Sequence, residues 1–470
     1  MIEERYIAAI DPGTARIVLT VAKVTGDDIQ ILYYNSLPSA GIRYSAVYNP
    51  QKAAEPIKRL IADAQQALNI KIKQVVVGLP RWYVREEIGN AKVERSTPEE
   101  SITKEEVEAL KKIAQEDYPL PDSEAETIYC AVAQSFSSDE YFQQIESDIV
   151  GEISRTLEGN FKLFIGKKNS IKTLDKIFSS AGISIAKKYF TPVVQAKAVL
   201  TSDEISAGVA LLDIGAGVAS VSVYQNRILR HYAAIPFGGK NITSDIKTEC
   251  FISERLAENI KLAYGACIPE KLQTLGEKIL QIEGEDMENY KQVPVKYLSE
   301  IITARVKEIT EALLYEIQAS GLSEKLRRGM VITGGSANLT NIGMYIKDLS
   351  GYNVRTGFPR RKFSSSGCPG IMDPEAATSI GLILSAKEDV LPSCVEDIRI
   401  PEPAFTFASE VPAADIIEQA PAEDGMGGEA PVETQPAQAP APKGPFFKVS
   451  WNKFKEFVDG RVKDMDKEMI

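Results

Sequence analysis

One pattern of strands occurs in both halves of this chain and constrains its fold more than any other feature. Each copy consists of β-branched and aromatic runs separated by short turns. The first copy comprises Tyr6–Ile10, Ile17–Val24 and Ile29–Tyr34, and the second comprises Val209–Leu212, Val218–Tyr224 and Ile228–Ile235. Each copy predicts a three-stranded antiparallel meander. The repetition predicts a duplicated domain, and therefore two lobes that face each other across a cleft.

Helix-period segments lie between and after the two meanders. They are Ala53–Leu68, Lys104–Gln115, Ser170–Ala181 and Tyr297–Ala319. Strands that alternate with such helices are typical of the α/β class. At 470 residues the chain is also too long for one compact core, so we expect several subdomains.

Composition excludes several classes of function. His231 is the only histidine, so a metal site built from several imidazoles is impossible. Five scattered cysteines without a C-x-x-C pair indicate a reduced cytoplasmic protein, and the acidic start does not resemble a secretory signal. The net charge of -11 argues against nucleic acid as a partner, and no apolar run is long enough to span a bilayer.

Much of the negative charge lies in residues 391–443. This segment has ten acidic residues against two basic ones, is rich in proline and contains few large apolar residues. Such a composition cannot offset the entropy lost on ordering, so it predicts a disordered acidic linker. A flexible chain of this length spans roughly 40 Å, so residues 444–470 are expected to act at a distance from the body.

Each meander places an aspartate and small residues in its first turn. The first turn contains Asp11, Gly13 and Thr14, and the second contains Asp213, Gly215, Ala216 and Gly217. Backbone N–H groups in such turns can approach phosphate oxygens closely, because little or no side chain intervenes. Each aspartate would then face the Mg²⁺ that accompanies a nucleotide, mostly through water. An ordinary hairpin is the alternative for either turn alone, but the repetition at matching positions favours a phosphate clamp.

A third glycine cluster follows in the second half of the chain. Gly334, Gly335 and Ser336 come after the apolar run Gly329–Thr333 and before the apolar-periodic run Leu339–Leu349. A strand, a glycine turn and a helix N-terminus in this order suit the sugar or phosphate of a nucleotide. The chain has no G-x-x-x-x-G-K-[ST] motif, which excludes a P-loop.

In this order, the three clusters resemble the phosphate-1, phosphate-2 and adenosine motifs of the actin, Hsp70 and sugar-kinase superfamily. Within it, the stretches LLDIGAGVASVSVYQNRILRHYAAIPFGGKNITSDI, AENIK and VITGGSANLTNI are similar to the bacterial cell-division family FtsA. The similarity covers most of residues 7–384 and the C-terminal tail. It implies a duplicated, actin-like α/β fold with two lobes, which bind ATP and Mg²⁺ in the cleft between them.

The resemblance also implies further site residues. Gly238 and Gly239 would lie near the nucleotide, while Glu258 and Lys261 would converge from one helical face on its ribose and adenine side. A solvated intrahelical ion pair is the alternative for Glu258 and Lys261. Val218 stands where family members commonly have a threonine, so ATP binding is predicted more strongly than hydrolysis, and no residue is predicted to be catalytic.

The family pattern divides the chain into subdomains, including an insert called 1C that actin lacks at this place and that pilus-assembly proteins of the PilM type share. The expected units are lobe 1 (1A) in 1–84, 166–200 and 371–390; the insert 1C in 85–165; lobe 2 (2A) in 201–240 and 298–370; the small subdomain 2B in 241–297; the linker in 391–443; and the terminal helix in 444–470. Within 1C, a polar segment Arg85–Ser101 precedes the helix Lys104–Gln115 and the strands Thr127–Phe136 and Phe161–Ile165.

The last segment predicts an amphipathic helix. On a helix, its apolar residues form one stripe and its lysines and arginines occupy the flanks and the opposite face. Such a helix is expected to lie in the interface of a membrane that contains anionic lipid. The residues expected to enter the lipid are Phe446, Phe447, Trp451, Phe454, Phe457 and Val458. A helix that docks on the body or on a partner is the alternative.

Together, these features predict an FtsA-like protein that polymerises on the cytoplasmic face of the inner membrane at the division site. By resemblance, its partners would be the FtsZ C-terminal tail, further copies of itself, anionic lipid and other division proteins. Two alternatives stay open: a PilM-type pilus adaptor, and a small-molecule kinase of the same superfamily.

Overall fold

The computed structural model describes residues 4–283, 290–360 and 362–396. The strands are β1 (Glu4–Pro12), β2 (Arg16–Thr25), β3 (Asp28–Pro38), β4 (Ile42–Arg43), β5 (Ala46–Val47), β6 (Gln74–Leu79), β7 (Arg85–Glu94), β8 (Glu126–Ser137), β9 (Thr156–Lys167), β10 (Ser184–Phe190), β11 (Val209–Ile214), β12 (Ala219–Gln225), β13 (Ile228–Ile235), β14 (Ile279–Glu283), β15 (Tyr290–Pro294), β16 (Met330–Thr333), β17 (Val354–Thr356) and β18 (Ser364–Ser365). The α-helices are α1 (Pro50–Leu68), α2 (Lys104–Glu116), α3 (Glu146–Ile149), α4 (Lys168–Ser180), α5 (Thr191–Val199), α6 (Ser202–Ala207), α7 (Gly239–Cys250), α8 (Glu254–Tyr264), α9 (Val295–Ala319), α10 (Ile342–Ser350) and α11 (Ala377–Glu388).

The predicted duplication is confirmed down to the order of the strands. In the first sheet, β3, β2 and β1 form an antiparallel meander, which β6 and then β10 extend in parallel. In the second sheet, β13, β12 and β11 form the same meander, which β16 and then β17 extend in parallel. The register matches as well, because Asp11 lies opposite Val18 and Asp213 lies opposite Ser220. The two aspartates therefore occupy equivalent positions at the ends of equivalent strands.

One hydrophobic core joins the two sheets through helices α5 and α11. Both helices are buried nearly all round, and their side chains pack with Ile7 of β1 and Leu211 of β11. A Cβ added at Gly381 would run into the carbonyl of Val194, so glycine allows α11 to approach the α5 backbone closely. Since neither helix has a polar face, neither shows the amphipathic period by which the sequence predicts helices. Both went unpredicted for this reason.

The inserted residues form a separate three-stranded sheet, ordered β7-β9-β8, with helix α2 packed on it. The strands predicted at Thr127–Phe136 and Phe161–Ile165 are confirmed as parts of β8 and β9. The sequence predicted only a polar segment from Arg85, but Arg85–Glu94 is strand β7, paired antiparallel with β9. Its charged residues are compatible with an edge strand, in which one face and one edge meet solvent.

The start of the predicted linker is ordered, which corrects its boundary. Residues 391–396 pack on the first lobe: Cys394 is fully buried, its N–H donates to Tyr6 O at 2.7 Å, and Val395 pairs with Ile72. The apolar side chains of Cys394 and Val395 favour this packing over solvent. The rest of the linker and the predicted membrane helix, with Phe446, Phe447, Trp451, Phe454, Phe457 and Val458, lie outside the described residues. Within the described part of the chain, no helix has the length and apolar character needed to cross a bilayer.

Candidate functional site

The two aspartate turns meet face to face. A Cβ added at Gly217 would lie only 2.8 Å from Thr14 Cγ2 and 3.0 Å from Thr14 Oγ1. Lys240, the second residue of α7, donates from Nζ to Thr14 O at 3.2 Å and so links the two lobes beside the turns. Burial lowers the pKa of Lys240. The predicted opposition of the two turns is therefore present in the fold.

Some of the predicted phosphate donors are already used within the turns. The N–H of Gly13 donates to Asp11 O at 3.1 Å, and the N–H of Gly215 donates to Val218 O at 3.0 Å. Helix α7 also caps the second turn, because the N–H groups of Gly239 and Lys240 donate to the carbonyls of Gly215 and Ala216 at 2.9 and 2.8 Å. Within the described residues, the amides of Thr14 and Gly217 have no backbone acceptor. These two amides are the better placed donors for a phosphate oxygen.

Asp213 is held by two side chains from outside its own sheet. Its carboxylate is 3% exposed, forms an ion pair with Arg81 and accepts a hydrogen bond of 2.7 Å from Gln195 Nε2. The same Gln195 nitrogen donates to Thr378 Oγ1 at 2.8 Å, which ties the carboxylate to helices α5 and α11. A Cβ added at Gly334 would collide with Asp213 Oδ1, so the third glycine cluster packs directly against this carboxylate.

Asp11 has a different environment from Asp213. Burial raises the pKa of the Asp11 carboxyl, while the positive charge of Arg81 and a hydrogen bond with Thr378 act in the opposite direction. Arg81 thus influences the predicted metal residues of both lobes. None of Arg81, Gln195 and Thr378 was predicted, because an isolated polar residue outside a motif carries no signal in the sequence.

The two carboxylates suit a magnesium ion that is held partly by a nucleotide. Mg²⁺ usually binds one or two carboxylates and takes its other ligands from phosphates and water. No cluster of three or more histidine, cysteine, aspartate or glutamate side chains that could hold a metal occurs among the described residues. Asp11 and Asp213 could therefore supply only part of an octahedral shell, and the phosphates and water would have to complete it.

The residues predicted for the ribose and adenine side also come together. A Cβ added at Gly239 would lie 2.8 Å from Ser336 Oγ and 3.5 Å from Lys261 Nζ. Lys261 Nζ donates to Glu258 Oε2 at 2.8 Å, to Gly239 O at 3.0 Å and to Thr243 Oγ1 at 2.9 Å. The Lys261 side chain is only 10% exposed and that of Glu258 is 38% exposed, so the pair is buried at its lysine end and open to solvent at its glutamate end. Thr243 lies one turn after Gly239 on α7. It was not predicted as a site residue, although a spacing of four residues on a helix places it beside Gly239.

The third glycine cluster differs from the prediction in one respect. After β16, residues Gly335–Asn338 form a short 3-10 helix, and α10 begins only at Ile342. Thr340 lies between these two helices along the chain and forms a β-bridge with Ala266. This bridge interrupts the run that the sequence predicted as one helix from Leu339. Contrary to the prediction, helix α10 therefore does not begin at the glycine turn. Gly334 and Gly335 border the site through their backbone, with Gly334 at a φ of +85° that favours glycine.

The chain is similar in sequence to known cell-division proteins. Residues 210–381 match the model of the family described as cell division protein FtsA. The cell division protein FtsA of Neisseria meningitidis serogroup B is 29% identical over 403 residues, which cover 85% of this chain and 93% of that protein. The protein of the same name from Streptococcus pneumoniae serotype 2 is 28% identical over 382 residues, covering 81% of this chain and 80% of that protein.

In sequence, the chain is therefore similar to the cell division protein FtsA over most of its length. Solved structures confirm its predicted actin-like fold. The PilM-PilN type IV pilus biogenesis complex includes a chain with a TM-score of 0.57 and 16% identity, over 81% of this chain and 98% of that one. MreB5 of Spiroplasma citri, bound to ADP, gives a TM-score of 0.50 and 12% identity, over 82% of this chain and 97% of that one. At these identities the likeness concerns the fold alone.

Proposed function

We propose that this FtsA-like chain binds ATP with Mg²⁺ between its lobes and links the FtsZ ring to the cytoplasmic membrane during bacterial cell division. The observation that carries the ATP site is the contact between the two aspartate turns, where Gly217 leaves space for Thr14. The full-length FtsA relatives support the role in division.

In this proposal, each part of the site has a separate task. The amides of Thr14 and Gly217 hold the phosphates, and Asp11 and Asp213 face the metal through water. Gly238, Gly239 and Ser336 border the sugar, and Glu258 and Lys261 bind the ribose and adenine side. Bound Mg²⁺ would neutralise phosphate charge. Val218 is buried and offers no hydroxyl, and we assign no catalytic base, so binding rather than turnover is the proposed role of the nucleotide.

The nucleotide is proposed to act by closing the cleft. Closure would set the angle between the lobes, and this angle would control the contacts of one copy with the next in a filament. The FtsZ C-terminal tail is proposed to dock on the small subdomain, residues 241–297. The insert, residues 85–165, is proposed to carry contacts between copies and with other division proteins. The subdomain boundaries stay a prediction.

Attachment to the membrane is proposed to depend on residues 444–470. Their aromatic and basic composition favours a helix that lies in a bilayer interface with anionic lipid. The linker before it would let that helix reach lipid while the body contacts FtsZ. The protein would accordingly be peripheral, on the inner face of the cytoplasmic membrane.

Sedimentation with vesicles tests the tether. The full chain should pellet with vesicles that contain phosphatidylglycerol, and a chain that ends at Lys443 should stay in the supernatant. Trp451→Glu should weaken pelleting strongly, because it places a charge in the apolar stripe, whereas Asn452→Glu, one position away and off that stripe, should reduce it less. Equal behaviour of the full and shortened chains would contradict the proposal. Vesicles of phosphatidylcholine alone, which contain no anionic lipid, are the control for the contribution of lipid charge.

A pilus adaptor is the second candidate, because the chain shares its fold with a protein of the PilM-PilN complex. The binding partner separates the two functions. A peptide with the sequence of the FtsZ C-terminal tail should bind the proposed division protein and should not bind a pilus adaptor. Fluorescence anisotropy of the labelled peptide measures this directly.

A further inference from the structure

Arg81 occupies the phosphate end of the cleft. It follows β6 by two residues, and its guanidinium, on a side chain 14% exposed, forms an ion pair with Asp213. A Cβ added at Gly215 would lie 3.1 Å from an Arg81 terminal nitrogen, so the guanidinium also borders the second turn. An arginine at this place is not part of the glycine motifs that identify the site.

The backbone of Arg81 is fixed from the other lobe. Its carbonyl accepts a hydrogen bond of 2.6 Å from the hydroxyl of Tyr232 on β13. Tyr232 is itself buried against the rings of Phe164 and Phe190. A fixed backbone with a long side chain lets the guanidinium change partners without any shift of the strands, because only side-chain torsions need to move.

The charges around Arg81 are those that a divalent cation would meet. Asp213 contacts its guanidinium directly, and the positive charge of Arg81 also acts on the carboxyl of Asp11. A second cation that approaches Asp213 would meet the guanidinium in a site of low dielectric, where repulsion between like charges is strong. Arginine, unlike lysine, also offers a planar fork of donors that fits phosphate oxygens.

We propose that Arg81 is a phosphate-binding residue that exchanges partners with the metal. In the form described here it is the counter-ion of Asp213. When Mg-ATP binds, Asp213 turns to the hydrated metal and Arg81 donates to the phosphate oxygens. This inference rests on the proposed ATP site. In this inference, Arg81 supplies a positive charge that lets the cleft bind a nucleotide without metal. The same charge competes with a metal ion for Asp213 when no nucleotide is bound.

Two titrations of the full chain test the exchange. The first measures thermal stabilisation by MgCl₂ alone. Arg81→Gln removes the competing cation and leaves the buried Asp213 charge unpaired, so half-maximal stabilisation should need about tenfold less Mg²⁺ than in the original chain. The second measures the affinity for ATP in EDTA by isothermal calorimetry. Here Arg81→Gln should bind about tenfold more weakly, because a charge-assisted contact to phosphate is lost.

Arg85→Gln is the matched control. Arg85 lies four residues further along, and its ion pair with Glu126 belongs to the insert. This variant should follow the original chain in both titrations. If Arg81→Gln does not fold, Arg81→Lys replaces it: the shorter ammonium group keeps the charge but not the fork, so ATP binding in EDTA should still fall severalfold.

The outcomes separate this inference from the proposed function. If the original chain binds no Mg-ATP, the proposed ATP site is wrong. If it binds Mg-ATP but Arg81→Gln, or Arg81→Lys in its place, leaves both titrations unchanged, Arg81 is only a structural counter-ion and the inference is overturned. A weaker affinity for ATP in EDTA together with a lower Mg²⁺ requirement supports the exchange.

Discussion

The turn after β1 and the turn after β11 have the same strand topology and register but different surroundings. Asp213 has an ion pair with Arg81 and a hydrogen bond from Gln195, whereas Asp11 is buried and forms no ion pair among the described residues. Helix α7 follows the second meander and caps the carbonyls of its first turn, whereas no backbone N–H of α1, the helix after the first meander, donates to residues 11–14 in the described part of the chain. Duplication has thus produced one turn whose aspartate has an ion pair within the protein and one whose aspartate charge is only partly offset by Arg81 and Thr378.

This difference indicates a division of labour between the two lobes. A carboxylate with fixed partners is already oriented, so the second turn can form most of the site before a ligand binds. The first turn carries a buried carboxyl whose charge Arg81 and Thr378 offset only in part, which costs stability until a cation or a proton reaches it. A bound metal is therefore expected to stabilise the first turn, whereas the second turn is expected to determine whether the nucleotide binds at all.

The largest expected effect comes from Asp213→Asn. The substitution removes a carboxylate that is proposed to face the metal, so Mg-ATP should bind about 100-fold more weakly, or about 2.8 kcal/mol. Asp11→Asn should cost about tenfold or less, since burial raises the pKa of Asp11 and so disfavours the ionised form that a metal needs. Calorimetry measures both. Equal losses for the two variants would contradict the division of labour.

Gly217→Val tests how closely the two turns must approach. Its Cβ would lie within 3.0 Å of the Thr14 side chain, so one turn must move, at a cost of about 2 kcal/mol in the free energy of unfolding and with weaker ATP binding. Gly343→Ala in α10 is the control, because a Cβ there meets only ordinary contacts of 3.6 and 4.0 Å. The control should keep its ATP affinity and its stability to urea. A fully stable Gly217→Val would show that the turns do not meet.

Glu86→Gln is expected to change stability without changing the proposed ATP site. Glu86 on β7 accepts from Lys162 Nζ at 2.8 Å, and its other oxygen accepts from the N–H of Tyr232, so it joins the insert to the second lobe. Burial alone would raise the pKa of Glu86, but its hydrogen bonds with His231 and Lys162 outweigh burial and hold that pKa below its ordinary value. Glutamine should lower the free energy of unfolding by about 1–2 kcal/mol at pH 7.

The lowered pKa of Glu86 determines how the effect of Glu86→Gln on stability should vary with pH. A carboxylate with a lowered pKa stabilises the fold fully above its ordinary pKa of 4.5, and the contribution is lost as pH falls through the folded value. The stability gap between the original chain and Glu86→Gln should therefore narrow as pH falls below 4.5. Urea unfolding at pH 7, 5 and 4 measures the gap, and a constant gap would refute the assignment.

The smallest expected effect is that of Asp11→Asn on stability, and its pH dependence is opposite to that of Glu86→Gln. Because burial raises the pKa of Asp11, its contribution to stability is full only below its ordinary pKa of 3.8 and is lost as pH rises through the folded value. At pH 7, Asp11→Asn should thus stabilise the protein without ligand by about 1 kcal/mol, whereas Asp213→Asn should destabilise it. Thermal melts compare the two, and a destabilised Asp11→Asn would mean that the two turns do not differ in this way.

The sequence predicted those parts of the molecule in which a local pattern is tied to one structure. Alternating β-branched residues with an aspartate and glycine turn predicted both meanders, and their repetition predicted the duplication. Side chains that act through tertiary contacts, such as Arg81 and Gln195, could not be predicted, because their partners are far away in the chain. Helices α5 and α11 were missed since complete burial removes the amphipathic period, and β7 was missed because its edge position keeps it polar.

The central claim is that one nucleotide lies against both turns, and amide hydrogen exchange tests it most directly. The full chain would be labelled with and without Mg-ATP, and the peptides that contain residues 11–14 and 213–217 would be followed. Both peptides should become protected together, and Asp213→Asn should remove the protection from both at the same ATP concentration. Protection of one turn alone, or of neither, would contradict the claim.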